Sequence, residues 1–564
     1  MKFSDYKYER PDLGLIEKEF KKTVEIIKTS DNLDEIVEAI NEINKVRSSY
    51  STMSSICSIR NTIDTRDEFY DKEQTFFDEN SPLYENYEFE LSKALVNSSR
   101  RKDLENRYGK QWFNLMEANI KVFSPEIIDE LKEENKLTSE YRKLSASAKI
   151  EFDGKINNLS QMGPYLTSLE RSVRKEAETK VMEFFEANEA KYDEIYDKLV
   201  KVRTAMARKL GYPNYVDFGY LRLGRTDYDS KMVANYRKQV LEDLVPVASM
   251  IFKDKAKRLG IEDLKSYDLS VDFKNGNPKP IGDRDYLVEQ ASKMYGELSK
   301  ETKEFFDFMV KHELLELEAK EGKAGGGYCT YIRDYRSPFI FSNFNGTSGD
   351  VDVLTHEAGH AFQVYSSRDF EVMEYLWPTL EACEIHSMSM EFFAWPWMDL
   401  FFGDDADRYR YHHLAGTITF IPYGVLVDHF QTEVYENPDL TPDERKALWR
   451  KLEKMYLPHK VYENEFLEKG TYWFRQSHIF TTAFYYIDYT LAQVCAQQYW
   501  IKNNENKEAA WASYYELCKQ GGSKSFLELV KVAELDNPFV DGTVKRVASH
   551  LVEFLNNFDQ SKLV

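Results

Sequence analysis

Helical periodicity that persists over most of the 564 residues is the feature that most constrains the fold of this chain. Near the N-terminus, apolar side chains recur every three or four positions, as at Ile16, Phe20, Val24 and Ile27. That spacing places them on one face of a helix, and similar patterns continue to about residue 264. Residues 1–265 are therefore predicted to form an N-terminal helical lobe.

The helical pattern is interrupted between residues 321 and 346. We expect helix up to about Lys320, after which the glycines 325–327 precede two runs rich in aromatic and β-branched residues, "YCTYI" and "FIFSNF". Such runs favour strands, so a small β-sheet is predicted here. Helical patterns then resume and continue to the C-terminus. We predict a mainly α fold in which residues 266–564 form a second, catalytic lobe that contains this sheet.

The composition excludes several functional classes. With a formal net charge of −21 and no block of Lys or Arg long enough to make a phosphate-binding stripe, the chain is not expected to bind nucleic acid or an anionic membrane surface. No apolar segment is long enough for a membrane span, and the N-terminus lacks the pattern of a secretory signal. The five cysteines are widely spaced and odd in number, which favours reduced thiols over a disulfide framework. A cytoplasmic location is expected.

The segment "HEAGH" at residues 356–360 directly follows the predicted sheet. Its histidines, His356 and His360, are four residues apart and share one helical face, from which both imidazoles can bind a single Zn²⁺ ion. Glu357 is offset from them and can act as general base on a zinc-bound water. With only 10 histidines in the chain, chance predicts about 0.02 such matches. The motif therefore indicates one Zn²⁺ per chain.

A third protein ligand has to come from outside this motif. Metzincins place Gly and His three and six residues after the second histidine, but Gln363 and Ser366 occupy those positions. A glutamate on a second helix is the common alternative. Residues 378–393 offer three: Glu381, Glu384 and Glu391. Glu384 and Glu391 are seven residues apart on one face, so that one can bind the ion while the other accepts the distal N–H of a ligand histidine.

A second cluster of polar side chains lies in "SHIFTTAFYYIDYTLA", residues 477–492. Here His478 precedes three tyrosines: Tyr485, Tyr486 and Tyr489. Hydrolysis of an amide needs donors that stabilise the negative oxygen of the transition state, and His and Tyr side chains serve this role. The segment is therefore predicted to supply oxyanion donors. Core packing of a Tyr-rich helix is the alternative.

Together these segments resemble the oligoendopeptidase F branch of the thimet oligopeptidase family, which includes the Pz-peptidases. The resemblance rests on "SNFNGTSGDVDVLTHEAGHAFQ", "EACEIHSMSMEFF" and "HIFTTAFYYIDYTLA", and in general character it extends over most of the chain. It implies that Glu384 is the third zinc ligand and that Glu391 supports a ligand histidine. It also implies that His478 and one or two of the tyrosines face the substrate carbonyl. Tyr486 and Tyr489 are favoured, and Tyr485 remains open.

The resemblance further implies a fold and a substrate class. The expected body is two-lobed and helical, with a deep central channel and zinc at its floor, and the expected activity is cleavage of internal bonds in short, unstructured peptides in the cytoplasm. Residues 337–346, "SPFIFSNFNG", would supply an edge strand that pairs with the peptide backbone. The glycines 325–327 would form a mobile wall or a simple turn. Both a monomer and a homo-oligomer remain open.

Two other functions remain open at this point. The first is a zinc exopeptidase, which would need a charged residue to capture a free peptide terminus, and the sequence alone identifies none. The second is a non-catalytic helical scaffold that binds peptides. Glu357 argues against the scaffold, because a site that only binds has no need for a base beside its metal ion.

Overall fold

The computed structural model describes residues 1–563 and is built mainly of α-helices, which confirms the predicted fold class. Fourteen helices precede the central sheet. They are α1 (Leu13–Thr29), α2 (Leu33–Ile63), α3 (Glu68–Val96), α4 (Arg101–Tyr108), α5 (Lys110–Val122), α6 (Ile128–Ala146), α7 (Gly163–Leu166), α8 (Arg171–Ala187), α9 (Glu189–Lys209), α10 (Tyr215–Arg222), α11 (Ser230–Gln239), α12 (Val245–Leu259), α13 (Arg284–Leu298) and α14 (Lys300–Lys311). The apolar positions predicted for α1 face the interior, since Ile16, Phe20 and Ile27 are buried.

Eleven further helices follow the sheet. They are α15 (Gly349–Ser367), α16 (Leu380–Phe393), α17 (Met398–Phe402), α18 (Ala406–Glu436), α19 (Pro442–Tyr456), α20 (Glu465–Glu468), α21 (Ser477–Thr481), α22 (Tyr486–Glu505), α23 (Lys507–Gln520), α24 (Phe526–Val532) and α25 (Thr543–Asn557). Helix α16 packs between α15 and α22, and α22 also packs on α18. The "HEAGH" segment therefore lies on a helix whose neighbour, α16, packs against α22, the helix of Tyr486 and Tyr489.

Five short strands complete the fold. Strands β1 (Ile150–Phe152) and β2 (Lys155–Asn157) form an antiparallel hairpin that the sequence did not predict. The predicted sheet is present and has three strands in the order β3-β5-β4: β3 (Leu315–Glu318), β4 (Tyr328–Ile332) and β5 (Ser337–Phe344). Strand β4 is antiparallel to β5, and β3 is parallel to it.

Two expectations about this sheet were wrong. Helix does not extend to Lys320, because Leu315–Glu318 pairs with β5 as a strand, and tertiary pairing outweighs the local preference of such a short segment. The segment "SPFIFSNFNG" is not an edge strand either. Its residues Ser337–Phe344 form the central strand β5, which has partners on both sides, so the free edge next to the motif helix belongs to β4.

Apart from a small group formed by Tyr331, Val364 and Leu376, the interior consists of one large apolar cluster and a smaller one. The large cluster includes residues from Tyr6 to Leu563 and therefore draws on both sides of residue 265. The smaller one lies among α1–α5 and takes in Val372 and Tyr375. The division of the chain at residue 265 stays a prediction. All five cysteines are free thiols, as predicted. Among residues 1–563, no helix combines the length and apolar character that a membrane crossing requires.

Candidate metal centre and active site

The helix that carries "HEAGH" begins at a turn fixed by Asp350. Its carboxylate accepts hydrogen bonds from the backbone N–H groups of Asn345, at 2.9 Å, and Gly346, at 2.8 Å. These residues directly follow β5, so the carboxylate ties the end of the central strand to the first turn of α15. The sheet and the motif helix are thereby held in a fixed relation, as an acid in the first helical turn permits.

Gly359 lets α15 and α16 approach each other closely. A Cβ atom at this position would lie 2.6 Å from the carbonyl oxygen of His386 and 2.6 Å from the Cα atom of Ser387, both in α16. Any residue other than glycine would therefore push the two helices apart. The contact presses Glu384 of α16 against the face of α15 that carries the two motif histidines.

His356, His360 and Glu384 converge on one point. Each offers a ligand atom, and these atoms lie within 4.8 Å of one another. Glu384 Oε2 is 3.1 Å from His356 Nε2 and 3.2 Å from His360 Nε2. Three protein ligands held about 2.0–2.2 Å from a tetrahedral metal ion would be about 3.3 Å apart. The donor set and its spacing therefore fit a metal ion with a fourth position left for a reacting molecule.

The charges of these groups also suit a cation. Burial alone would raise the pKa of Glu384, but His360 and His356 outweigh it and hold the pKa well below its ordinary value. Glu384 is therefore a carboxylate at neutral pH. Ser387 Oγ donates a hydrogen bond to its Oε2 atom at 2.9 Å. A buried carboxylate beside two imidazoles supplies the negative charge that a divalent ion needs.

A series of polar side chains contacts His356 through Nδ1, the ring nitrogen that does not face Glu384. Glu391 Oε1 lies 2.7 Å from His356 Nδ1, which is the contact that the sequence predicted for one of the two glutamates. The other oxygen of Glu391 lies 2.7 Å from His413 Nε2, and Trp395 donates its indole N–H to His413 Nδ1 at 3.2 Å. Such contacts fix the ring orientation of a metal ligand. His413 was not singled out from the sequence.

Glu357 is a buried carboxylate without a full set of partners. Its Oε2 atom is buried and has no hydrogen-bond partner among residues 1–563. Burial raises the pKa of Glu357, whereas His356 and His360 act to lower it. A Cβ atom at Gly327 would lie only 3.3 Å from Glu357 Oε1 and 3.1 Å from Val353 Cγ1. The glycine before β4 therefore leaves room beside a carboxylate that can accept a proton from a reacting molecule.

His478 is oriented by a chain of hydrogen bonds. The Tyr423 hydroxyl donates to Gln476 Oε1 at 2.8 Å, which leaves the amide nitrogen of Gln476 2.9 Å from His478 Nδ1. Burial lowers the pKa of His478 to about 4, so the ring is neutral at neutral pH. Because Nδ1 accepts from the amide, the proton lies on Nε2, which is 3.2 Å from the Tyr489 hydroxyl. His478 thus presents an N–H donor.

The three tyrosines surround His478 but differ in their partners. Their ring centroids lie between 5.1 Å and 5.5 Å from that of His478. Tyr485 donates a hydrogen bond to Glu384 Oε1, whereas Tyr489 faces His478. Tyr486 packs against Phe420 and Tyr423. The sequence favoured Tyr486 and Tyr489, and the structure adds that Tyr485 touches a candidate metal ligand.

The turn that precedes these tyrosines is held by a residue that the sequence did not reveal. Arg225 Nη2 lies 2.6 Å from the Phe484 carbonyl oxygen and 2.6 Å from Asp488 Oδ1, and the side chains of Arg225 and Asp488 are completely buried. Phe484 has a φ of 67°, a left-handed conformation that a non-glycine residue adopts only when its surroundings impose it. Arg225 is 259 positions away in the chain, so no local pattern indicates this contact.

Three other titratable residues near the site contribute no ligand atom. His386 is buried without a side-chain partner, and burial lowers its pKa to about 3. Cys383 is a buried thiol that lies 3.5 Å from the Pro378 carbonyl oxygen. Asp352, in the first turn of α15, accepts a hydrogen bond from the Tyr409 hydroxyl. None of the three offers an atom to the group of candidate ligands.

Comparison with known proteins gives a consistent set of relatives. Residues 3–123 match the model of the peptidase M3 N-terminal domain, and residues 165–549 match that of peptidase family M3. No curated protein gives a significant match.

Similar solved structures extend over the whole chain. One is Pz peptidase A with an inhibitor, 55% identical, with 99% of this chain and 100% of that chain covered and a TM-score of 0.98. A structure assigned as an oligoendopeptidase F is 53% identical over 100% of both chains, with a TM-score of 0.99. Another so assigned, from Bacillus anthracis, is 51% identical over 100% of this chain and 99% of that chain, with a TM-score of 0.94.

Proposed function

The chain belongs to peptidase family M3 and is a metalloendopeptidase, and on that premise we propose that it uses Zn²⁺ to hydrolyse internal bonds of short, unstructured peptides. In this proposal His356, His360 and Glu384 hold one Zn²⁺ ion per chain, and Glu357 is the general base. The observation that carries the proposal is the convergence of the three ligand atoms within 4.8 Å, with Glu357 on the same helix as two of them. Two imidazoles and a carboxylate are a ligand set of catalytic zinc sites.

Zn²⁺, when bound, polarises the substrate carbonyl and lowers the pKa of a coordinated water. Glu357 then accepts the proton of the attacking water, because one of its oxygens has no other partner, and passes it to the nitrogen of the leaving amine. Its raised pKa, caused by burial, suits a group that first takes and then returns a proton. Glu391 keeps His356 in place during this exchange.

The carbonyl oxygen gains negative charge as the water attacks, and donors that point at it lower the barrier. The Nε2–H of His478 is such a donor, because Gln476 fixes the ring tautomer. Tyr489 lies beside it, and Tyr486 stands next to both. We assign the oxyanion role to His478, Tyr486 and Tyr489. Tyr485, whose hydroxyl donates to Glu384 Oε1 in this structure, is the alternative donor.

Removal of one oxyanion donor should lower kcat by about 10²–10³-fold and change KM much less, because these hydrogen bonds strengthen only in the transition state. The changes are Tyr486→Phe, Tyr489→Phe and His478→Ala, measured by steady-state kinetics on one peptide. Tyr515→Phe, on α23, is the matched control. An ordinary kcat in Tyr486→Phe together with a large loss in Tyr485→Phe would transfer the role to Tyr485.

A peptide can reach this site along the free edge of β4. That strand begins directly after Gly327, beside Glu357, and its outer edge is unpaired within the sheet. A substrate in an extended conformation can add to such an edge through its backbone, which favours unstructured peptides of any sequence. We propose that this edge lies in a deep channel between two lobes, residues 1–265 and 266–564, that excludes folded domains. The printed names of the relatives, Pz peptidase and oligoendopeptidase F, support peptides as substrates.

The proposed substrate class is tested with one 12-residue peptide in three settings: with free ends, with both ends blocked, and within a constrained loop of a folded host. The reacting bond lies near the middle, so that neither terminus is close to it. We expect equal cleavage of the free and blocked peptides and none of the host, with all activity lost on chelation. Failure to cut the blocked peptide would indicate an exopeptidase. Cleavage of the host at a similar rate would indicate an open site.

The cellular setting is part of the same proposal. The formal net charge of −21 opposes binding to nucleic acid and to anionic membranes, and the five free thiols suit a reducing compartment. We therefore propose that the enzyme works in the cytoplasm, with short peptides as its partners.

A further inference from the structure

A cavity of about 310 Å³ lies next to the candidate active site. Its wall includes two rings of α18, Phe420 and Tyr423, together with the charged residues Glu178, Lys460 and Arg475. The same two rings pack on Tyr486, with centroid distances of 5.9 Å and 5.8 Å. The Tyr423 hydroxyl is also the donor that fixes Gln476 and, through it, His478. The cavity therefore shares two of its wall residues, Phe420 and Tyr423, with the surroundings of the oxyanion donors.

Arg475 is the one guanidinium in this wall, and it has no counter-ion. Its side chain is exposed, and no carboxylate of residues 1–563 lies within 4.0 Å of it. Its nearest aromatic neighbour is Tyr472, whose ring centroid is 5.1 Å from the Arg475 Cζ atom. An arginine presents five N–H donors in a planar fork, and in this cavity nothing in the described chain accepts from them.

The other charged groups in the wall already have partners. Lys460 lies 3.2 Å from Glu453 and also sits over the Tyr472 ring. Glu178 accepts a hydrogen bond from Ser266 at 2.7 Å, and burial raises its pKa. His459 stacks on Phe252, and burial lowers its pKa to about 3, so it carries no charge at neutral pH. Arg475 is thus the free charge of the cavity.

Two cationic side chains, Lys460 and Arg475, line the cavity together with one carboxyl group, that of Glu178. Burial by itself would raise the pKa of Tyr472, but Arg475 and Lys460 outweigh it and lower that pKa below its ordinary value. A wall that favours the ionised form of a phenol also favours a carboxylate from a ligand. An arginine binds a carboxylate through two parallel, charge-assisted hydrogen bonds, the strongest kind available to a peptide anion.

We propose that Arg475 binds a carboxylate of the peptide substrate in this cavity, supplied either by the free C-terminus or by an Asp or Glu side chain. The inference rests on the proposed peptidase function and adds a preference to it. Arg475 precedes His478 by three residues, so their Cα atoms are at most about 11 Å apart. An extended peptide advances about 3.3 Å per residue. The carboxylate therefore belongs to a residue within about three positions of the reacting bond.

The test compares kcat/KM for short peptides that differ only in this carboxylate. One pair ends two residues after the reacting bond, as the free acid or the amide. A second set is amidated and carries Asp or Asn at each position within three residues of the bond. Charge-assisted hydrogen bonds are worth about 10- to 100-fold in binding, so the acid should be preferred by that factor in one set. Because only the ratio within each enzyme is compared, overall changes of activity cancel.

Arg475→Gln should bring that ratio to within about twofold of unity, and Arg475→Lys should retain part of it. Arg546→Gln, which removes an exposed arginine paired with Asp536 on the far end of the chain, should leave the ratio unchanged. A preference confined to the first pair identifies the C-terminus as the source, and one confined to the second set identifies an acidic side chain. Equal rates for acid and neutral peptides in the unaltered enzyme, or a preference that survives Arg475→Gln, would overturn the inference. Failure to cut the 12-residue peptide would instead overturn the peptidase function itself.

Discussion

Glu357→Gln should lower turnover by about 10²–10⁴-fold while the protein keeps its metal ion. The amide of glutamine is nearly the same size as the carboxylate but cannot accept a proton. Glu357 is not among the three residues whose ligand atoms converge, so its loss as a base should leave metal affinity intact. The change therefore separates the chemistry from the binding of the ion.

Two measurements on the same preparation check this expectation: kcat on an internally quenched peptide, and zinc per chain by elemental analysis. Glu553→Gln, at an exposed position of α25, is the control for the loss of one negative charge. A Glu357→Gln protein that had lost its metal, alongside a Glu384→Gln protein that kept it, would require the two roles to be exchanged.

His356→Ala and His360→Ala should each abolish tight metal binding and, with it, all measurable activity. A site with three protein ligands cannot lose one and remain tight, because the remaining two leave the ion largely to solvent. Glu384→Gln should weaken binding as well, since a neutral amide oxygen replaces the carboxylate that stands 3.1 Å and 3.2 Å from the two imidazoles. These losses are the largest that we expect from any single change in this chain.

The unaltered protein should contain about one zinc per chain, and a chelator should remove zinc and activity together. His550→Ala, which removes an exposed histidine of α25, is the matched control and should retain both. Thermal unfolding of each variant shows whether the fold persists without the ion. A full complement of zinc in either motif variant would overturn the ligand assignment.

The sequence by itself determined the features that depend on local spacing. A period of three to four apolar residues requires a helix to bury them, so the mainly α fold could be predicted from segments such as α1. The two histidines of "HEAGH" share a face of α15 for the same reason. The strands β4 and β5 were also predictable, because their aromatic and β-branched residues favour the pleated conformation.

The tertiary structure decided whatever depends on which elements meet. Glu384 and Glu391 lie on the same face of α16, and their spacing alone does not distinguish them. The close approach of α15 and α16 at Gly359 brings Glu384 to both imidazoles and Glu391 to Nδ1 of His356. Likewise, β5 is the central strand because Leu315–Glu318, a segment expected to be helical, forms β3 and pairs with the edge of β5 opposite β4.

Arg225 and Arg475 show the same limit of sequence reasoning. Arg225 holds a turn 259 positions away, and the importance of Arg475 lies in the absence of a partner in a cavity whose wall comes from distant segments. Neither property leaves a pattern in neighbouring residues. Local periodicity fixes the faces of helices and strands, whereas contacts between distant segments depend on how those faces pack together, and that is set by the fold as a whole.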